Sequence, residues 1–250
     1  MDVETKMILQ VDALSKIYGE KGSAVEALKH LDLRVEEGEI LGLLGPNGAG
    51  KTTAVKIIMG FLHPTGGEVR LKGHLLKPSD PRPQIGYLPE NFRPNPNLTV
   101  WEYLRFQCRL AHQNGRFDPG EVDRLLTLVG MERFGERRIS QLSKGMGQRV
   151  GLAQAFAGEP AVLILDEPTS GLDPLAKGDV IQLLLDMKAA GKTIFFCSHI
   201  LSEVERICDR IGILNEGELQ FLGSVAAFYD RWGVNDLEQA FKQEVLCGRS

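Results

Sequence analysis

The chain has 250 residues, with 29 Lys and Arg against 33 Asp and Glu, a formal charge of −4. That length predicts one or two domains, and 43% apolar with 25% charged residues excludes disordered, collagen-like and coiled-coil classes. The mild acidity argues against a dedicated nucleic-acid binder, which carries a basic excess. No apolar run approaches the roughly 18 residues that span a bilayer, and the N-terminus lacks a secretory hydrophobic core. A cytosolic chain, or one bound to a membrane only through a partner and never inserted, is expected. Cys108, Cys197, Cys208 and Cys247 form no CxxC pair, so they read as ordinary thiols rather than a disulfide or zinc framework. The sequon Asn97–Leu98–Thr99 carries no meaning in a cytosolic chain.

Short apolar runs alternate with longer stretches of helical spacing, which predicts parallel strands with crossover helices, an α/β fold. The first forty residues read as β-rich. Val35–Gly38 reads as a turn between antiparallel strands, Glu39–Leu44 as a buried strand, and Thr53–Met59 as a helix. Six of the 12 prolines lie between Pro78 and Pro96, too dense for a regular core element; they predict an irregular connector opening a second subdomain. Thr99 and Glu102 have capping-box spacing, and Val100, Tyr103, Leu104 and Leu110 partly follow a helical period. A second helix is expected from about Pro119 to Val129 and a third from near Ser143. Ala161–Asp166 and Thr193–Cys197 read as buried strands, Ser202 and Glu205 as another capping box, and Ile213–Gly217 as an antiparallel turn. Two short helical stretches, around Val225–Arg231 and Asp236–Val245, close the chain.

The chemistry begins at Gly45-Pro46-Asn47-Gly48-Ala49-Gly50-Lys51-Thr52, followed by Thr53. It fits G-x-x-x-x-G-K-[ST] between an apolar strand and a helix, the context that supports a phosphate-binding loop. The glycines let successive N–H groups curl around an anion, and the helix N-terminus adds positive potential. Lys51 is expected to reach the β- and γ-phosphates of ATP and the Thr52 hydroxyl to bind Mg²⁺. A strand rich in bulky aliphatics, Ala161–Leu165, then delivers Asp166 and Glu167 at its C-terminal end, where open parallel sheets bind ligands. Asp166 suits the Mg²⁺ shell and Glu167 the polarisation of an attacking water. His199 follows the strand Thr193–Cys197, at what should be the same sheet edge as Asp166, where an imidazole N–H could bond a γ-phosphate. His30, His63, His74 and His112 read as solvated or packed.

With these motifs in order, the chain resembles the ATP-binding subunit of ABC transporters over nearly its whole length. Leu142-Ser143-Lys144-Gly145-Met146-Gly147-Gln148 resembles the family's L-S-G-G-Q signature, and Ser170-Gly171-Leu172-Asp173 its D-loop. The resemblance implies a P-loop NTPase cassette: a RecA-like core with an antiparallel β subdomain (1–89 and 159–224), an inserted helical subdomain (90–158) and a short helical tail (225–250). It implies that Tyr18 stacks on adenine, that Ser143 and Gly145–Gly147 meet ATP bound to the opposite cassette, and that Asp173 lies between subunits. Two positions depart from the pattern. Lys144 stands where Gly is usual, and Met146 is read as standing where the second Gly is usual when the loop is aligned on Ser143, with Gly145 kept and the Met146 side chain expected to point away from the phosphates. Glu90, in Ile85-Gly-Tyr-Leu-Pro-Glu90, stands where the family's Q-loop has Gln. An ionised glutamate only accepts hydrogen bonds, so it suits the Mg²⁺ and water side of a site and repels phosphate oxygens.

The resemblance implies a Mg-dependent ATPase that forms a homo- or heterodimer. It would sit peripherally on the cytoplasmic side of a cell membrane and energise a separate integral permease, with Asn91–Val100 as docking segment. The Gly86–Glu90 spelling is associated with export. Soluble ABC ATPases of translation, DNA maintenance or iron–sulfur cluster assembly are the alternative, and a non-catalytic ATP-binding module is a further one, opposed by Glu167 and His199.

Overall fold

The computed structural model describes residues 6–19, 24–82, 84–112 and 118–247, with the side chains of Leu246 and Cys247 outside that description. The reading of Cys247 as an ordinary thiol therefore lies outside the described residues. The chain forms two compact units, Met1–Arg82 with Ala190–Ser250, and Pro83–Ala189.

The first unit opens with β1 (Met7–Tyr18), β2 (Val25–Glu36), β3 (Ile40–Leu44), α1 (Lys51–Ile58), β4 (Gly66–Leu71) and β5 (His74–Leu75). The second holds β6 (Ile85–Leu88), α2 (Val100–Ala111), α3 (Gly120–Leu128), α4 (Lys144–Ala155), β7 (Val162–Asp166) and α5 (Pro174–Ala189). The chain returns to the first unit with β8 (Thr193–Ser198), α6 (Leu201–Ile207), β9 (Arg210–Asn215), β10 (Glu218–Ser224), α7 (Val225–Trp232) and α8 (Leu237–Cys247). No described helix is long and apolar enough to cross a membrane.

Two kinds of sheet meet in the first unit. β1, β2, β4 and β5 form an antiparallel sheet in the order β2-β1-β4-β5. β3 instead lies parallel to both β8 and β9. The alternation of buried and open positions in β2 marks a sheet with one wet face, whereas every residue of β3 and β8 is buried, as parallel strands covered on both faces require. The turn at Val35–Gly38 therefore does not join an antiparallel pair. It carries the chain from one sheet to the other, because β3 takes its hydrogen bonds from β8 and β9. The β9–β10 turn is antiparallel as expected, with Glu216 and Gly217 both at positive φ, the primed geometry that suits a two-residue hairpin.

In the second unit, β6 and β7 are parallel. β6 falls inside the proline-rich stretch expected to be irregular: four residues between prolines are too few to give a periodic signal, and pairing with β7 supplies the ladder. Thr99 caps α2 with both halves of the box: Glu102 N–H donates to the Thr99 Oγ1 at 3.1 Å, and Thr99 N–H to the Glu102 carboxylate at 2.8 Å. Val100, Tyr103, Leu104 and Cys108 are its buried stripe, while Leu110 faces outward. Thr99→Ala should lower unfolding stability by about 0.5–2 kcal/mol, measured by denaturant titration. The box expected at Ser202 and Glu205 does not form. α6 begins at Leu201 without a side-chain cap, because Ser198 takes the local role, accepting from the Ile200 N–H at 3.0 Å.

Candidate functional site

The first unit builds the phosphate loop. β3 is wholly buried and ends at Leu44, where the chain swings away at Gly45. A Cβ on Gly45 would fall 2.1 Å from the Leu214 carbonyl oxygen, and one on Gly50 2.5 Å from that of Ala27, with Gly50 at φ +110°. Only glycine fits either place. Gly50 then starts α1 as its N-cap residue, so the first-turn N–H groups point into the loop, as at any helix N-terminus. The loop is tied internally by Ala49 N–H to Pro46 O (3.1 Å), and to the β9–β10 turn by Gly217 N–H to Ala49 O (3.0 Å). Lys51 is only 7% exposed; its ammonium donates to the carbonyls of Gly45 (2.6 Å) and Pro46 (3.2 Å). The cation is thus held inside the concavity. Asn47, Gly48 and Thr52 are exposed, Pro46 and Thr53 half-buried.

Register places His199. β3 and β8 pair with Leu44 level with Ser198, so His199 leaves its strand at the level where Gly45 leaves its own. Its side chain is exposed. Tyr18 ends β1 opposite Val25 and is 40% exposed, with the Lys16 ammonium 5.2 Å from its ring centroid. The neighbouring strand β2 is the one whose Ala27 touches the phosphate loop.

The second unit carries the carboxylates. β7 is buried throughout and ends on Asp166, 2% exposed. Glu167 follows at 7% exposure and φ +52°. A non-glycine residue in the left-handed region is uncommon, and such strained positions cluster at functional sites. Ser170 N–H closes the turn onto Glu167 O at 3.0 Å. Parallel pairing sets Leu88 level with Leu165, so Glu90 and Glu167 leave the same strand-end edge two residues later. Glu90 is exposed.

Ser143 is the N-cap of α4, its Oγ accepting from the Met146 N–H at 3.2 Å. Gly145, Met146 and Gly147 occupy the first turn, half-buried, while Lys144 is exposed. Counted from Ser143, Met146 stands where L-S-G-G-Q has its Gln, not a Gly, so no glycine is lost there. Asp173 opens α5, its carboxylate accepting from the Ala176 N–H at 3.0 Å. A cavity of about 340 Å³ in this unit is lined by Glu90, Ser143, Gly147 and Ser170 among others.

The supports of α4 had no signal in the sequence. Gln154 donates to the Tyr87 carbonyl and accepts from the Tyr103 hydroxyl, both at 2.8 Å. Burial pushes that hydroxyl up to about 12, so it stays a donor at neutral pH. A Cβ on Gly86 would lie 1.8 Å from the Ala155 carbonyl oxygen, so helix and strand touch backbone to backbone. Arg149 adds a bond to Val129 O (2.8 Å) and an ion pair to Asp179 (2.6 Å). α4 is thereby fixed to β6, the strand that leads to Glu90, and to α5, the helix that Asp173 opens. In α2, the buried Cys108 thiol is raised to about 12 by burial and then by Glu121, so it stays protonated and unreactive. His112 pairs with Glu121 at 2.7 Å.

A strand, a glycine loop enclosing a lysine and a helix N-terminus, with a second buried strand ending in two carboxylates, define a P-loop nucleotide-binding protein of the α/β class. The family model for ABC transporters matches residues 28–170. The chain is 44% identical over 226 residues to an uncharacterised ABC transporter ATP-binding protein of Nostoc sp., covering 88% of this chain and 68% of the relative. A similar protein of Synechocystis sp. is 44% identical over 224 residues, covering 88% and 63%. The chain thus spans about two thirds of the length of these relatives. The methionine import ATP-binding protein MetN of Bordetella pertussis is 35% identical over 224 residues, covering 87% and 62%. Among solved structures, an ATP-binding subunit of an ABC transporter superposes with a TM-score of 0.82 at 32% identity, covering 95% of this chain and 99% of that one. The dimeric cassette MJ0796, in a post-hydrolysis state with ADP and Pi, gives 0.78 at 28%, covering 87% and 99%. The chain belongs to the ABC transporter ATP-binding family, and its fold is the P-loop cassette of that family.

Proposed function

We propose that this chain hydrolyses Mg·ATP and passes the free energy to a separate membrane-spanning permease, as one cassette of a dimer that closes on ATP. The observation that carries the reading is the phosphate loop itself: contiguous N–H groups at the start of α1 around a lysine whose ammonium is already inside the loop. Lys51 is assigned to the β- and γ-phosphates. The Thr52 hydroxyl and the Asp166 carboxylate are hard oxygen donors of the kind Mg²⁺ takes alongside substrate phosphates, so these residues fit the ion; bound there, it neutralises charge on the phosphates. Glu167 is assigned as the base. Water attacks the γ-phosphorus, its proton passes to Glu167, the bond to the β-phosphate oxygen breaks, and ADP and phosphate leave. His199 donates to the γ-phosphate and Tyr18 stacks on adenine through its ring face. Ser143, Gly145 and Gly147, with the Met146 backbone, meet the nucleotide of the opposite cassette, and Asp173 lies at the interface. ATP then favours the closed dimer by differential binding.

Glu90 is assigned to the Mg²⁺ and water side of the site. The segment Asn91–Val100 within the helical piece 90–158 is assigned as the docking surface. Its end is pinned next to the signature region by Ile139 N–H to Leu98 O (2.9 Å) and Ser140 N–H to Pro96 O (3.1 Å), so a push on it has a short path to Ser143. We assign the direction as export, on the Gly86–Glu90 spelling, and the location as the cytoplasmic face of a membrane, held by the permease.

The test is purification of the full chain from detergent-solubilised membranes. A co-purifying integral membrane protein that, reconstituted in liposomes, raises the chain's ATPase rate and moves a solute outward supports the reading. ATPase activity stimulated instead by ribosomes or DNA overturns the transport assignment, and inward movement overturns export.

A further inference from the structure

The end of β1 is tied to the chain that leaves α1. Lys16 and Tyr18 lie two residues apart on β1, so their side chains share one face of the strand. The Lys16 ammonium stands over the Tyr18 ring, 5.2 Å from its centroid, inside the roughly 6 Å at which a cation is drawn to the negative face of an aromatic ring. The same ammonium donates to the His63 carbonyl at 2.9 Å. His63 belongs to the segment that follows α1, the helix that begins on Lys51. Two further bonds sew this segment along β1: Thr65 N–H donates to Ser15 O at 2.8 Å, and Ile17 N–H to the Thr65 Oγ1 at 3.0 Å. Lys16 is half-buried, whereas Tyr18 is exposed. The partner of Tyr18 across the ladder, Val25, is 63% exposed, so that side supplies little packing around the ring. A tethered cation thus covers one face of the ring, and the ring keeps open surface for a flat ligand.

We propose that Lys16 is a positioning residue for the nucleotide base: its ammonium, tethered to His63, fixes the plane of the Tyr18 ring so that adenine stacks on the face opposite the cation. This rests on the assignment of Tyr18 to adenine. An exposed aromatic side chain samples several staggered rotamers, and ordering it on binding costs affinity; a ring ordered beforehand avoids that cost. The tether also links the ring to α1, whose N-terminus is assigned to the phosphates, so one connected piece of structure grips both ends of the nucleotide.

The test is isothermal titration of the full chain with Mg·ATP and, in parallel, with inorganic tripolyphosphate and Mg²⁺, a probe that has the phosphate chain and no base. Lys16→Met keeps the apolar stem and removes the cation. It should weaken ATP binding about two- to fivefold, the worth of one exposed cation–π contact read as affinity, and leave tripolyphosphate binding as in the parent. Lys16→Arg should keep the ATP affinity, because a guanidinium also covers aromatic faces. Tyr18→Ala should weaken ATP about tenfold, the scale of one lost stacking contact, and adding Lys16→Met to it should cost nothing more, the coupling expected of residues that act through one another. If Lys16→Met lowers the melting temperature without nucleotide, Lys16→Gln replaces it and must meet the same outcomes. The proposal is overturned if Lys16→Met binds ATP as tightly as the parent or more tightly, if it weakens tripolyphosphate as much as ATP, or if its loss adds in full to that of Tyr18→Ala. Failure of the underlying base assignment has its own signature: Tyr18→Ala would then bind ATP like the parent while Lys51→Ala still weakened it.

Discussion

Replacing Glu167 by Gln should reduce ATP turnover by roughly 10²- to 10⁴-fold, the usual contribution of a positioned base, while ATP still binds. The substitution keeps the shape of a side chain that is 7% exposed and removes its capacity to accept a proton. The backbone at Glu167 is left-handed, at φ +52°, and the Ser170 N–H bond to its carbonyl does not involve the carboxylate, so the turn should survive. With the chemical step blocked, the ATP-bound state persists. The variant should therefore run as a dimer on size-exclusion chromatography with ATP and as a monomer without it. Phosphate release at the parent rate would remove Glu167 from the catalytic assignment.

Lys51→Ala should fail earlier in the cycle, weakening nucleotide binding and hydrolysis together. Electrostatic groups aimed at developing charge are worth roughly 10²–10³ in rate, and this one is also assigned to the phosphates of the bound nucleotide. The ammonium sits in the loop on two carbonyls, those of Gly45 and Pro46; Pro46 O keeps the Ala49 N–H, but the buried Gly45 carbonyl loses this donor, which costs about 1–3 kcal/mol of stability. Isothermal titration with ATP should show at least tenfold weaker binding, about 1.4 kcal/mol, and denaturant melts should show the stability loss in the absence of nucleotide. Lys51→Arg should not restore binding, since a rigid planar guanidinium is no substitute for a compact ammonium at a site only 7% exposed. Normal ATP affinity in Lys51→Ala would overturn the assignment of the loop. The two substitutions thus separate binding from chemistry, Lys51 being needed for both and Glu167 for the second alone.

Much of the fold was legible where the signal is local. β3, β7 and β8 announced themselves as apolar runs, and Thr99 with Glu102 gave the start of α2. β6 was not legible, because Ile85–Leu88 is too short to show a period and lies among prolines; the ladder with β7 makes it a strand. Ser202 and Glu205 had the right spacing for a cap, but a capping box acts only at the first turn, and α6 starts at Leu201. The same limit applied to Val35–Gly38, where a turn was visible but not the change of sheet. Gln154 and Tyr103 were invisible for a different reason: their bonds join α4 to β6 and α2, and no short window of sequence contains both partners.

By itself, the sequence determined which residues are assigned here to chemistry on a phosphate. Gly45–Thr52 is a contiguous stretch whose N–H groups, lysine and hydroxyl are set by local backbone, and Asp166–Glu167 stand at the end of one buried strand. Tertiary structure decided what stands beside what. The level of Gly45 with His199 depends on β3 pairing in register with β8, and that of Glu90 with Glu167 on β6 pairing with β7. Parallel pairing joins strands through long crossovers, so its register is fixed by packing across the whole unit and leaves no mark in either strand alone. The shared cavity of Glu90 and Lys144 was decided in the same way, by neighbours distant in the chain.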